Sequence, residues 1–138
     1  MAGSKNSGFV EKPHTADWAL HVWADDFPTL LVEASRGMYT LMGTRLKTEP
    51  RQVKEISLQA ADREELLVVF LTELLYLGEQ DGLAFDRIDL SMSGSRLFAR
   101  LEGAGIEQQT KEIKAVTFHN LSVRETGGRL EATITFDV

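Results

Sequence analysis

Apolar positions alternate from Trp18 to Ala24, with Trp18, Leu20, Val22 and Ala24 on one side and Ala19, His21 and Trp23 on the other. A period of two marks a strand, and two fairly apolar faces place it centrally in a sheet. From Leu30 the period changes. Leu30, Leu31, Ala34, Met38, Leu41 and Met42 recur at helical spacing, Asp26 and Pro28 suit the start of that helix, and Gly43 suits its end. Val53, Ile56 and Leu58 suggest a strand that continues toward Ala60. Asp62 with Glu65 reads as a capping box. It opens a second helix carrying Leu66, Leu67, Phe70, Leu71, Leu74 and Leu75 and ending at Gly78. The wide apolar face of that helix is expected to lie flat on a sheet. Ile88, Leu90 and Met92, then Ser93-Gly94-Ser95, then Leu97, Ala99 and Leu101 predict a hairpin. A second hairpin is expected from Ala115–Arg124 and Arg129–Phe136 across Thr126-Gly127-Gly128.

The order strand, helix, strand, helix, four strands argues for an α+β domain with a mostly antiparallel sheet and both helices packed on one face. Residues 1–8 carry no apolar stretch, so they are expected to form a disordered lead rather than a signal peptide. Ala2 after Met1 speaks against myristoylation. Residues 9–138 are then one domain, near the commonest domain size. No apolar run reaches the ~18–20 residues of a membrane span, so a soluble chain without a membrane partner is expected.

The chain has no cysteine, which removes disulfides, zinc ribbons, thiol nucleophiles and iron–sulfur clusters, and fits a reducing, cytoplasmic setting. The net charge of −6 makes strong direct nucleic-acid binding unexpected, because such affinity rests on Lys and Arg neutralising phosphates. If the chain serves RNA chemistry, GTP and RNA are expected to reach it only through a protein partner.

Three places could carry chemistry. His14-Thr15-Ala16-Asp17 puts a carboxylate just before the central strand, although turn chemistry alone accounts for these residue types there. At the other end, Asp137 and the carboxylate of Val138 could approach Asp17 if the last strand lies beside the first. Such oxygens would suit a hard cation such as calcium or magnesium, although a solvated strand end explains Asp137 equally simply. Lys114 enters a strand between apolar neighbours and could hold a phosphate or carboxylate as a point charge, or serve as an ordinary edge-strand lysine. His119 could titrate near neutrality or sit at a surface bend. Phosphate-loop, dinucleotide, zinc-protease and nucleophile-elbow patterns are absent from the sequence. Trp18 and Trp23 fall on opposite faces of one strand, one suited to the core and the other to an interface.

At these same positions the chain resembles the archease family. His14-Thr15-Ala16-Asp17 is similar to the family's H-T-A-D opening. Glu33-Ala34-Ser35-Arg36-Gly37-Met38-Tyr39 resembles E-A-A-x-x-M-[FY], and Leu71-Thr72-Glu73-Leu74-Leu75-Tyr76-Leu77 resembles its L-N-E-L-L-Y-L run. Ile113-Lys114-Ala115-Val116-Thr117-Phe118-His119 is similar to I/V-K-A-V-T-Y-H, and the end Asp137-Val138 matches a terminal D-I or D-V. Phe118 stands where the family often has Tyr, Trp18 where a smaller aliphatic residue is usual, and Phe70 where Trp is frequent.

The resemblance implies a strand–helix–strand–strand core with an insertion. It implies an accessory protein, not an enzyme, that activates an RtcB-type RNA ligase in tRNA splicing and RNA repair. The activation would promote GTP-dependent guanylylation of the ligase and its multiple turnover. It further implies a divalent metal, calcium first with magnesium or manganese as alternatives, on Asp17, Asp137 and Val138. Ligase activation would use Asp17, Lys114 and Asp137, with His14 and His119 as secondary candidates. Two other readings compete. One is a non-catalytic interaction module or chaperone, indifferent to those residues. The other is a small metal-dependent phosphoester hydrolase, which would need acid–base groups beyond two carboxylates and a lysine.

Overall fold

The computed structural model describes residues 6–12 and 18–138. Two helices, α1 (Phe27–Met42) and α2 (Arg63–Asp81), pack among nine strands: β1 (Gly8–Lys12), β2 (Trp18–Ala24), β3 (Arg45–Leu46), β4 (Gln52–Gln59), β5 (Leu83–Ser93), β6 (Arg96–Gln108), β7 (Ala115–Thr117), β8 (Arg124–Thr126) and β9 (Arg129–Asp137). The class is α+β with antiparallel pairing throughout.

Both helices start as their residues dictate. Extended Asp26 accepts from the Thr29 amide at 2.8 Å, and Asp62 accepts from the Glu65 amide at the same distance. Glu65 answers by accepting from the amide of Ala61, at 2.6 Å, one residue outside the cap's own amide. At the end of α1, left-handed Gly43 donates to Thr40 and Thr44 donates to Tyr39, each at 3.0 Å. Helix α2 runs past Gly78, its expected end, to a left-handed Gly82. Gly78 costs a helix roughly 1 kcal/mol; the turn beyond it is exposed and is closed by Gly82, whose amide donates to the Gly78 carbonyl at 3.0 Å.

The first sheet has the order β1-β2-β9-β7, with β8 also on β9. Strand β2 is central, as its two apolar faces predict. Ser7 and Gly8, expected to belong to a disordered lead over residues 1–8, have defined partners. Ser7 donates to Glu33 at 2.8 Å, and Gly8 opens β1, pairing with Trp23. A side chain at Gly8 would meet Cζ2 of Trp23 at 2.6 Å, so a glycine is what lets β1 lie there. Residues 1–5 fall outside the described residues. The strand expected over Ala115–Arg124 is two short strands. β7 and β8 pair with opposite ends of β9, and between them a turn leaves the sheet, with Asn120 at φ 53° and the Leu121 amide donating to Phe118 at 3.0 Å. The β8–β9 turn is Gly127-Gly128, both at positive φ, as the twist of a two-residue hairpin requires.

The remaining strands form a separate sheet, a division the order of elements does not disclose. Long β6 takes β4 along one edge, β5 along the other, and β3 near its C-terminal end. The hairpin is longer than its alternating residues suggest, because β5 begins at Leu83-Ala84-Phe85, all buried. A bulge between Phe85 and Arg87 faces Gly103, where a Cβ would lie 1.9 Å from the carbonyl oxygen of Ala84. Helix α1 packs on β2 and β1, α2 on β4 and β5, and the helices touch each other and share β5. Phe70 and Phe136 are the largest fully buried side chains of this common core. Each such residue contributes roughly 1.5–3 kcal/mol by leaving water. Among the described residues no helix is long and apolar enough to cross a membrane.

Candidate functional site

The C-terminal end of β9 lies beside the start of β7. Ala115 pairs with Asp137, Val116 with Phe136 and Thr117 with Thr135. The Lys114 amide donates to the Asp137 carbonyl at 2.7 Å. Ile113 and Val116 are buried and anchor the segment, while Lys114 and Ala115 between them are exposed. On β9, Phe136 is fully buried and Asp137 and Val138 are exposed. Lys114, Asp137 and Val138 are thus brought to one sheet edge. On the other side of β9, Trp18, the residue after Asp17 in the chain, pairs with Phe136. His14 and Asp17 themselves lie outside the described residues.

The far end of β7 is tied down by hydroxyls. Thr117 donates to the Thr135 carbonyl at 3.0 Å and accepts from the His119 amide at 3.3 Å. His119 is exposed at the following turn, its Nε2 3.2 Å from the Asn120 amide nitrogen. It is not among the residues grouped at the end of β9. Phe118 beside it is 57% exposed, so the Phe there presents an apolar ring to solvent.

The candidate metal ligands at this edge, on Asp137 and Val138, are oxygens, the chemistry a hard cation takes. Among the described residues no three His, Cys, Asp or Glu side chains converge as a metal set. Asp137 and Val138 therefore fit a calcium or magnesium ion in kind, while the six or more ligands such an ion takes need further oxygens from water, from Asp17 or from a partner.

The helical blocks of the sequence serve a different purpose. Met38, Leu71 and Leu74 are core residues. Glu33 is buried and accepts from Ser7 and from Arg36, the latter at 3.1 and 3.2 Å. The Tyr39 hydroxyl is buried, and burial pushes its pKa well above the ordinary tyrosine range against the smaller, opposing effect of the Phe85 backbone. These residues hold the sheets in place rather than reach the edge.

Several polar arrangements have no counterpart in the expectations. Lys111 places Nζ 4.2 Å from the Trp18 ring centroid, so the aliphatic-to-Trp change at Trp18 comes with a cation over it. His21 bridges Thr133, at 3.0 Å, and Glu131, at 3.1 Å, on the outer face of the first sheet. The hydrogen bond from Arg129, followed by the charges of Arg129 and His21, holds the Glu131 carboxyl below its usual range. The alternation that places His21 opposite the core was readable, but its partner strand was not. In the second sheet Arg51 grips Asp86 through two hydrogen bonds, at 2.6 and 3.1 Å, and also reaches Glu102. That grip lowers the Asp86 pKa and raises that of Arg51.

Comparison with known proteins agrees with this architecture. Residues 9–138 match the model of the Archease protein family. A protein archease of Methanopyrus kandleri is 32% identical over 136 residues, covering 93% of this chain and 97% of its own. One from Thermococcus gammatolerans is 30% identical over 120 residues, covering 81% and 84%. The crystal structure of a Thermotoga maritima archease, described as a possible chaperone, superposes with a TM-score of 0.71 at 28% identity, covering 94% of this chain and 98% of its own. With a family match across nearly its whole length and a solved relative of the same fold, this chain belongs to the archease family.

Proposed function

We propose that this chain is an accessory protein of an RtcB-type RNA ligase, acting in the cytoplasm to promote guanylylation of the ligase by GTP and its repeated turnover in tRNA splicing and RNA repair. The observation that supports this reading is the 2.7 Å backbone hydrogen bond from the Lys114 N–H to the Asp137 carbonyl, which sets two residues with exposed charged side chains beside each other on one edge. Lys114 would bind a nucleotide phosphate as a point charge. Asp137, Val138 and Asp17 would hold a divalent cation, calcium first with magnesium or manganese as alternatives. Such an ion, when bound, supplies positive charge for a phosphoryl group. Docking would set this edge against the nucleotide in the ligase, so that Lys114 orients the phosphate and lowers the barrier by positioning and charge stabilisation. In this role the chain is a cofactor protein rather than an enzyme, and GTP and RNA are delivered by the ligase. His14 and His119 are secondary candidates for contact.

The interaction-module reading finds support in one observation, the exposure of Phe118 beside the same edge. The two readings separate on variants. Labelled GTP, the cognate ligase and folded Asp17→Ala, Lys114→Ala and Asp137→Ala chains decide between them. Acceleration by the wild type that is lost in the variants supports ligase activation. Equal partner function in all four chains supports a module that needs none of these residues. Turnover of a generic phosphodiester by the chain alone would support the hydrolase reading instead.

A further inference from the structure

On the outer face of the first sheet a groove of about 300 Å³ runs between β9 and the segment leading into β8. One wall is Ser122, Arg124 and Thr126, the last two on one side of β8 by its alternation. The floor is His21 and Thr133, already hydrogen-bonded to each other. The wall is well anchored, because the Val123 amide donates to Glu64 of α2 at 2.8 Å. Its polar groups are a guanidinium between two hydroxyls. Among the described residues none of the three side chains has a hydrogen-bond or ion-pair partner, so each can donate into the groove. The single carboxylate lining it, Glu131, is held by Arg129 and by His21. Arg124 is the one arginine lining the groove, and Arg129, outside the lining, is what answers Glu131.

We infer that this groove binds a phosphate group, with Arg124 as the charge and Ser122 and Thr126 as flanking donors. A guanidinium between two hydroxyl donors fits the several acceptor oxygens of a phosphate. Thr133 and Asp137 lie on the same face of β9, four residues and so ~13 Å apart. A phosphate held in the groove is therefore near the edge that carries Lys114 and Asp137. That the phosphate belongs to a nucleotide or an RNA end rests on the proposed ligase role, whereas the anion preference rests on the groove alone.

The test titrates the full chain, without ligase, at low salt with inorganic phosphate, GMP, and a short RNA bearing a 3′-phosphate beside its dephosphorylated form, followed by amide NMR shifts. Saturable shifts at Ser122, Arg124 and Thr126 are expected, weakened at least tenfold in Arg124→Ala and partly regained in Arg124→Lys. Binding of all three phosphates supports recognition of the group itself. Preference for the phosphorylated RNA identifies a strand end as the source, and preference for GMP identifies a free nucleotide. No saturable shift at the groove with any probe, or binding equal in Arg124→Ala, overturns the inference. Arg124 is exposed, and its replacement by Lys controls for any loss of fold. Because no ligase is present, failure here leaves the ligase reading standing, and failure of guanylylation leaves the groove standing.

Discussion

Around β6, hydrophobic side chains and a backbone contact do the work. Leu97 and Leu101 are fully buried, and Gly103 lets the backbone of β5 approach closer than any side chain would allow. Where β7 meets β9 the materials are different. Lys114, Ala115, Asp137 and Val138 are all exposed, Phe118 is too, and β7 is only three residues long. The first region stores stability and offers solvent little chemistry. The second contributes little burial of its own and is held by its neighbours, Ile113, Val116 and Phe136, so that its polar groups stay in water. Substitutions in the two regions should therefore fail in different ways.

The largest effect should come from Leu101→Ala. It removes a fully buried side chain of the central strand and should lower the unfolding free energy by about 3 kcal/mol, read from the urea midpoint. Ligase activation should survive wherever the variant remains folded. Next is Gly103→Ala, whose new methyl would meet the Ala84 carbonyl and the Phe85 Cα, both backbone. Overpacking against backbone should cost roughly 1–3 kcal/mol, and a thermal melt will show whether the bulge can give way.

A smaller effect belongs to Asp86. Arg51 depresses its pKa, so the folded chain binds its proton less readily than the unfolded chain does. The pair then stabilises at neutral pH, and its contribution fades as pH falls below the ordinary aspartate value of about 3.9. The Asp86 side chain is 55% exposed, so solvent screening keeps the contribution below about 1 kcal/mol. Unfolding curves of wild type and Asp86→Asn should differ at pH 7 and converge toward pH 3. A difference that grows on acidification would contradict this. The smallest effect on stability is expected at the other region: Lys114→Ala and Asp137→Ala should each move the urea midpoint by the equivalent of less than about 0.5 kcal/mol.

The same contrast explains what could be read from the chain before its structure. Both helix starts were legible because capping is local: Asp26 and Asp62 act on amides three residues away. The central place of β2 was legible because both its faces are apolar. The end of α2 was not, since Gly78 and Gly82 are alike in sequence and only Gly82 takes the left-handed conformation that closes the helix. The split of β7 from β8 depends on which part of β9 each one meets, a pairing between residues far apart in the chain. Strand β1 was missed because Gly8, its first residue, looks like part of a lead until Trp23 lies against it. At the candidate site, Lys114, Asp137 and Val138 were legible as candidates from their places at strand ends, while their roles came from the family resemblance. The groove beside β8 was missed because Ser122, Arg124 and Thr126 resemble no motif and take their meaning from His21 and Thr133 across the sheet.

The most direct measurement is the initial rate of guanylylation of the cognate RtcB-type ligase by labelled GTP, with wild-type chain, Lys114→Ala and Gly103→Ala compared at a temperature where all three are folded. Ligase activation at the exposed edge predicts acceleration by the wild type and by Gly103→Ala, and at least a tenfold loss of that acceleration in Lys114→Ala. Full acceleration by Lys114→Ala, or none by the wild type with an active ligase, would contradict it.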